Sequence, residues 1–350
     1  MSKESFKEAL TKSVPDAVPL YCTGYPDQEF MFHFLERYDL PIEQGSDLIL
    51  NKKNYSLIAR MGFDAISLWD YRRGPGGYRL NNDLHVDGWG RIYKGNWYQN
   101  DGVFKDKEIL KEWKHLCLPP QKDLNHLQSI LPGLEKLIVP VLSIPGLFEK
   151  TWQSMGLRSF SRYLLTNIDY LHQVVDFFYQ YVMNLLPALI EAGVQYFLIA
   201  DDCGYKQRTF LSPQYYRDLF ANPYISLVRY IHDQGGRVIL HSDGNITDFV
   251  EIFINLGFDG LQSLEPNAGV DIFSLFQQYN SQICFIGNLD VSTLLYYGTP
   301  SQIIDYVNHL IIKSRESCSP LIISPTQQIS IHIDPANIRA LIDATKNRKE

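Results

Sequence analysis

The chain has 350 residues, 45% of them hydrophobic and 20% charged, which is enough to bury a large core and too ordinary a mixture for a disordered chain. A formal net charge of −7, with no block of Lys or Arg, excludes the basic footprint of a nucleic-acid or anionic-membrane binder and leaves small-molecule or protein partners. The five cysteines, Cys22, Cys117, Cys203, Cys284 and Cys318, are odd in number, scattered and without a Cys-x-x-Cys pair, which argues against a disulfide framework. The first residues, Met1-Ser-Lys-Glu-Ser-Phe-Lys-Glu, lack an apolar core like that of a signal peptide, and nowhere do about 18 apolar residues run together. A soluble protein in a reducing, cytoplasmic setting is the expectation.

From the N-terminus, Val18–Tyr21 and Asp64–Trp69 read as short buried strands. The stretch from Asp70 to about Pro120 breaks that pattern. It is rich in Gly, Asn, Tyr and Trp, and His85-Val-Asp-Gly-Trp-Gly-Arg-Ile-Tyr93 within it reads as a hairpin. From residue 137 onward, short apolar runs alternate with longer amphipathic segments, the pattern of β/α units. The predicted strands there are Leu137–Leu142, Val194–Ala200, Arg237–His241, Gly260–Leu264, Ile283–Gly287 and Leu321–Ser324. Ser212-Pro213, Thr299-Pro300 and Asp334-Pro335 each place a capping side chain before a proline at the first helical position, and Thr299 with Gln302 fits a capping box. Eight β/α units predict a closed (β/α)8 TIM barrel. The chain is read as one domain over 1–350, with the segment at about 70–120 inserted after the second strand and lying over the barrel mouth. The aromatic cluster Trp69, Tyr71, Tyr78, Trp89, Tyr93, Trp97 and Tyr98 would either cover a flat hydrophobic ligand or pack a lid or subunit interface.

In such a barrel the C-terminal strand ends converge on one face. They carry Asp70 with Trp69 before it, Asp201 and Asp202, His241 and Asp243, Glu265, Asn288 and Asp290. Side chains alternate along a strand, so His241 and Asp243 would point the same way while Asp201 and Asp202 point apart, Asp202 toward the cavity. A carboxylate confined among others has its pKa pushed up, which suits proton transfer near neutral pH. Asp202, His241, Asp243 and Glu265 are therefore the candidate catalytic residues. His241, Asp243 and Glu265 form a candidate metal set, and Asp70, Trp69, Asn288 and Asp290 are candidate substrate contacts. Each also has a plain structural reading, as a cap or turn former or, for His241, as a hydrogen-bonded core histidine. Cys203 reads as a passive small residue.

With these residues in view, the sequence resembles the uroporphyrinogen decarboxylase superfamily, which includes haem-pathway decarboxylases and corrinoid-dependent methyltransferases. The resemblance rests on Asp201-Asp202-x-Gly204, Leu211-Ser-Pro213, His241-Ser-Asp-Gly-Asn245, Gly257-Phe-Asp-Gly260, Leu264-Glu-Pro266, Gly287-Asn-Leu-Asp290, Gly298-Thr-Pro300, the tail Asp334-Pro-Ala-Asn-Ile-Arg339 and Val86-Asp-Gly-Trp-Gly90. It covers most of the chain beyond residue 60 and implies a (β/α)8 barrel with a deep site at the strand C-terminal ends. Uroporphyrinogen decarboxylases carry an arginine-rich element after the first strand that receives the substrate's carboxylates. Here that region reads Pro19-Leu-Tyr-Cys-Thr-Gly-Tyr-Pro-Asp-Gln28, without arginine. Thiol-methylating members of the other branch bind zinc through His-x-Cys and a distant cysteine near the last strand. This chain keeps His241 but has Asp243 in place of the first cysteine and Ser324-Pro-Thr-Gln-Gln328 around the second.

Three functions follow as expectations. The leading one is methyl transfer between a small methylated substrate and a corrinoid carried on a separate corrinoid-binding protein, with a zinc ion at His241 and its neighbouring carboxylates or direct acid-base chemistry there. The second is decarboxylation of a porphyrinogen, a lyase reaction that needs no cofactor. The third is a non-catalytic binding protein on the same barrel. A homodimer is compatible with each.

Overall fold

Eight short runs of buried apolar residues become eight parallel strands: β1 (Tyr21–Cys22), β2 (Ala65–Leu68), β3 (Val139–Pro145), β4 (Tyr196–Ala200), β5 (Arg237–Ser242), β6 (Gly260–Ser263), β7 (Cys284–Leu289) and β8 (Leu321–Pro325). The computed structural model describes residues 2–40, 49–50, 53–68, 77–113 and 121–346. The strands pair in chain order. A bridge between Leu20 and Ile323, with the Ile323 N–H donating to the Pro19 carbonyl at 2.9 Å, joins the last strand to the first. The fold is the TIM barrel that the element pattern predicts, with all eight expected strands in place.

Several strand boundaries differ from the expected ones by one to three residues, and two of the shifts have clear local reasons. Regular pairing of β1 is confined to Tyr21 and Cys22, opposite Ala65 and Ile66. Pro19 has no N–H to offer a ladder, so the expected start at Val18 leaves only the bridge at Leu20. Leu137 ends the helix Gln121–Leu137 instead of opening β3, the ambiguity inherent in a short apolar run.

Alternation along the strands sets the barrel interior. Tyr21, Ala65, Val139, Val141, Leu198, Ile239, Cys284, Ile286 and Ile322 form one buried cluster, completed by Phe6, Ala9 and Leu10 of the helix Ser2–Leu10. Leu10 lies against the bare Cα of Gly260 at the start of β6, so this helix plugs the N-terminal end of the barrel. Burying each large apolar side chain contributes about 1.5–3 kcal/mol. The outward residues pack against the surrounding helices in a second, larger cluster. One layer nearer the mouth the interior turns polar, with Ser67, Ser143, His241, Gln262 and Ser324 all buried.

The hairpin expected around His85–Tyr93 is present: Leu84–Val86 pairs antiparallel with Arg91–Lys94, within a four-stranded sheet completed by Tyr78–Arg79 and Trp97–Gly102. Asp87 makes the turn, its Oδ1 accepting from Trp89 N and Arg91 N at 2.9 Å each. Trp89 is buried against Phe178 and Tyr181, so this part of the aromatic cluster is core, whereas Trp97 is 80% exposed. The sheet docks on the rim of the mouth, where Arg91 Nη1 donates to Gln153 Oε1 at 2.8 Å and Tyr98 donates to the Gln153 carbonyl at 2.8 Å. Among the described residues Cys22, Cys203, Cys284 and Cys318 are free thiols, and no helix is long and apolar enough to cross a membrane.

Candidate active site

Two loops at the strand C-terminal ends build the site. The loop after β4 carries Asp201-Asp202-Cys203-Gly204, and β5 runs through His241 into Asp243-Gly244-Asn245. They pack back to back. Gly244 has φ +80°, and a Cβ there would lie 2.4 Å from the Gly204 carbonyl carbon, so only glycine permits the approach. Asn245 N donates to the Tyr205 carbonyl at 2.9 Å and Cys203 N to Ser242 Oγ at 2.8 Å. The result joins the two acids directly: Asp243 N donates to Asp202 Oδ1 at 3.0 Å.

His241 faces both carboxylates. Its Nε2 lies 3.8 Å from Asp202 Oδ1 and 3.5 Å from Asp243 Oδ1, and one donor atom from each of the three residues falls within 4.8 Å of the others. The histidine is nearly buried, while the side chains of Asp202 and Asp243 are 37% and 31% exposed, so the trio opens to the mouth. Asp243 Oδ1 itself is shut off from solvent and accepts no hydrogen bond among the described residues. On the far side of the ring, Gln262 sits opposite His241 in the β5–β6 register and its Oε1 meets Nδ1. Lost hydration pushes Asp202 up to about 7, the Glu149 and Asp243 carboxylates add to this, and His241 opposes it.

Asp201 turns the other way and is wholly buried. It accepts from Glu149 N at 2.6 Å, Phe148 N at 3.3 Å and the Tyr224 hydroxyl at 2.5 Å. It therefore caps the helix Leu147–Gln153 from outside that helix, whose own N-cap residue is Gly146. A Cβ on Gly146 would sit 2.3 Å from the Asp201 side chain, so the missing side chain makes room for the cap.

The other sequence candidates lie elsewhere. Glu265 stands outside the trio, and Asp202 takes its place beside His241 and Asp243. Its Oε2 accepts from Gly244 N at 2.8 Å and its Oε1 from Gln327 Nε2 at 3.3 Å, so it buttresses the Asp243 loop. Asp290 is a turn former: Oδ1 accepts from Ser292 N at 2.9 Å and Thr293 N at 2.7 Å. Asn288 points to the outer helix layer, where the Tyr306 hydroxyl donates to its Oδ1 at 2.9 Å. Trp69 and Asp70 lie outside the described residues. Glu265 and Asp290 do share a cavity of about 530 Å³ with Lys206, Asn267, Tyr296 and Gln327 at the ends of β6 to β8; none of the trio lines it, and Glu265 is its link to the Asp243 loop.

Two functional groups escaped the sequence reading. Gln262 carried a signal, being a polar residue inside the otherwise apolar start of Gly260-Leu-Gln-Ser-Leu264. Glu149 carried none, because its role depends on contacts between distant segments. Burial alone would raise its pKa, but the Lys150 ammonium at 3.0 Å, with help from Arg91 and Gln153, holds it below the usual carboxylate range. Gln153 donates to Glu149 at 2.6 Å and in turn accepts from Arg91, linking the inserted sheet to the group that raises Asp202.

An imidazole nitrogen and two carboxylate oxygens in this arrangement can hold a divalent cation or pass a proton. Among solved structures, the chain is similar to a methyltransferase from Methanosarcina mazei at TM-score 0.66 and 16% identity, covering 99% of this chain and 98% of that one. A xylose isomerase-like TIM barrel/4-hydroxyphenylpyruvate dioxygenase fusion protein aligns more loosely, at TM-score 0.40 and 8% identity over 93% of this chain and 41% of that one. A search of curated proteins finds no match. The family model for uroporphyrinogen decarboxylase (URO-D) matches residues 151–348, a span that holds β4 to β8, both loops of the trio and Gln262. With more than half of its length matched, this chain belongs to the uroporphyrinogen decarboxylase family.

Proposed function

We propose that this chain is a corrinoid-linked methyltransferase acting on a small methylated substrate, with a divalent cation, zinc foremost, held by Asp202, His241 and Asp243. The observation that carries the reading is the direction of His241 Nε2, which faces one oxygen of each carboxylate at 3.8 and 3.5 Å. With the proton on Nδ1, Nε2 turns a lone pair toward two carboxyl groups, of which Asp202 holds its proton to about pH 7. That contact is repulsive until a cation or a proton stands between them.

The donor set fits a cation. Two ligands about 2.1 Å from a tetrahedral metal lie roughly 3.4 Å apart, near the 3.5 and 3.8 Å between His241 Nε2 and the two carboxylates, and all three donor atoms lie within 4.8 Å of one another. The buried Asp243 Oδ1 lacks a hydrogen-bond partner among the described residues, and His241 is anchored through its other nitrogen, as metal-ligating histidines are. When bound, the metal would act as a Lewis acid on the heteroatom that carries the methyl group. The protein's own share is to hold the ligands. Two carboxylates balance the charge of a dication, Glu265 and Gln327 brace the Asp243 loop, and the cavity lined by Lys206, Asn267 and Tyr296 offers hydrogen bonds to the substrate's polar end. The corrinoid would arrive on a partner protein.

The likeness to the Methanosarcina methyltransferase supports the barrel, and the absence of arginine from the first strand's end favours methyl transfer over decarboxylation of a polyacidic ring. At that strand end the Thr23 hydroxyl is instead engaged with Ser324 at 2.7 Å and Gln262 at 2.9 Å. The test is metal analysis of the purified protein, together with absorbance assays of cob(I)alamin methylation from methanol, methylamines and methoxyarenes. Retained metal and turnover with one donor class are expected. Protein that binds no divalent cation and methylates no corrinoid would sink the proposal.

A further inference from the structure

We infer that Gln262 is a positioning residue that selects the tautomer of His241, keeping the ring proton on Nδ1 and presenting Nε2 to Asp202 and Asp243. Gln262 is completely buried, and every described contact of its amide has a direction. Its Nε2 donates to Thr23 Oγ1 at 2.9 Å and also faces the Thr326 and Pro325 carbonyls at 3.3 and 3.4 Å. Turning the amide over would put Oε1 against two carbonyl oxygens that can only accept, so the side chain is locked with Oε1 toward His241. An amide oxygen only accepts, which makes Nδ1 the donor in the His241–Gln262 bond. The opposing position in the strand register fixes the pair sideways, and Thr23 is itself tied to Ser324 at 2.7 Å across the β1–β8 seam. Three strand ends therefore set one proton on one ring. The tautomer assignment stands on these contacts alone, and only what Nε2 binds rests on the function proposed above.

The tautomer is readable in the wild-type protein. Two-bond ¹H–¹⁵N correlation spectra of metal-stripped, ¹⁵N-histidine-labelled protein, with His241 assigned by its loss in His241→Asn, should show a pyrrole-type Nδ1 and a pyridine-type Nε2 at alkaline pH. Gln262→Leu removes the acceptor and should move the proton to Nε2, where the two carboxylates wait to accept it. Zinc affinity should then fall by roughly 10- to 100-fold, the usual loss when the outer partner of a ligating histidine is removed. Gln262→Glu retains an acceptor and should restore the Nδ1–H signature. A protonated Nε2 in the neutral wild-type ring, or an unchanged tautomer in Gln262→Leu, overturns the inference. If Gln262→Leu does not fold, the wild-type spectrum decides alone. The expected tautomers in a protein without zinc affinity would support the positioning role and reject the metal reading.

Discussion

Tyr224 donates its hydroxyl proton to Asp201 Oδ2 at 2.5 Å and accepts from Leu147 N at 2.7 Å, so two side chains from other elements finish the N-terminus of the helix Leu147–Gln153. That helix carries Glu149 and Gln153, through which the inserted sheet reaches the mouth. The cap therefore supports the site without facing it.

The protonation of Asp201 makes the cap sensitive to pH. Burial raises its pKa to about 6, against the hydrogen bonds from Glu149 and Tyr224. Because the folded value exceeds the unfolded one, the unfolded chain loses this proton first as pH rises. Asp201 thus contributes most to stability below pH 4, and the contribution declines as pH climbs to about 6, by roughly 3 kcal/mol. Asn cannot ionise, so any fixed cost of Asp201→Asn is independent of pH. Urea unfolding from pH 4 to 7 should show the difference between wild type and Asp201→Asn moving in favour of the variant by up to that amount. A constant difference would rule out the linkage.

Gly244 separates backbone strain from loop contact. Gly235 has the same φ of +80° but nothing within 4 Å of a built Cβ, whereas a Cβ on Gly244 strikes the Gly204 backbone. Gly235→Ala should cost about 1–2 kcal/mol through the left-handed conformation alone. Gly244→Ala should cost more, and it should also weaken divalent-cation binding, because it pushes the Asp243 loop off the Asp202 loop. Thermal unfolding and metal titration of the two variants provide the comparison. Equal losses of stability with unchanged metal affinity would show that the loop contact does not position the acids.

Asp243 is the member of the trio that tests the proposed ligand set most directly. Asp243→Ala should reduce zinc affinity by more than the roughly 10- to 100-fold typical of losing an outer partner, because it removes a donor atom itself. Asp243→Cys puts a thiolate in reach of His241 and should bind cobalt(II) with a sulfur-to-metal charge-transfer band that the wild type lacks. Equilibrium metal titration and the cobalt spectrum are the readouts. Unaltered zinc affinity in Asp243→Ala would remove this residue from the ligand set.

The legible parts of this molecule were those fixed along one strand. The apolar run Arg237–His241 closing in polar residues marked β5, and alternation placed Asp201 and Asp202 on opposite sides. What escaped depended on neighbours. Gln262 gains its meaning from a register partner on β5 and from Thr23, Pro325 and Thr326, which closure of the barrel brings to it. Glu265 lies just past β6, where a ligand would, yet the turn at Pro266 sends both its oxygens to Gly244 and Gln327. For Glu265 the position near a strand end was readable, but past the strand, where alternation no longer holds, the direction of the side chain was not.

Asn288 allows a clean separation of structure from chemistry. It is buried at a strand end, but its Oδ1 accepts from Tyr306 in the outer helix Pro300–Glu316. Tyr306→Phe deletes one hydrogen bond and leaves an acceptor unpaired there, so it should cost about 1–3 kcal/mol. Asn288→Ala removes the acceptor and leaves the Tyr306 hydroxyl to find another partner, for a loss of similar size. Neither change touches Asp202, His241 or Asp243, so metal affinity should stay at the wild-type value while the urea midpoint falls. Because the two residues share one bond, the double variant should lose less than the sum of the single losses. A fall in metal affinity with unchanged stability in Asn288→Ala would instead place Asn288 in the site, with its side chain turned inward in solution.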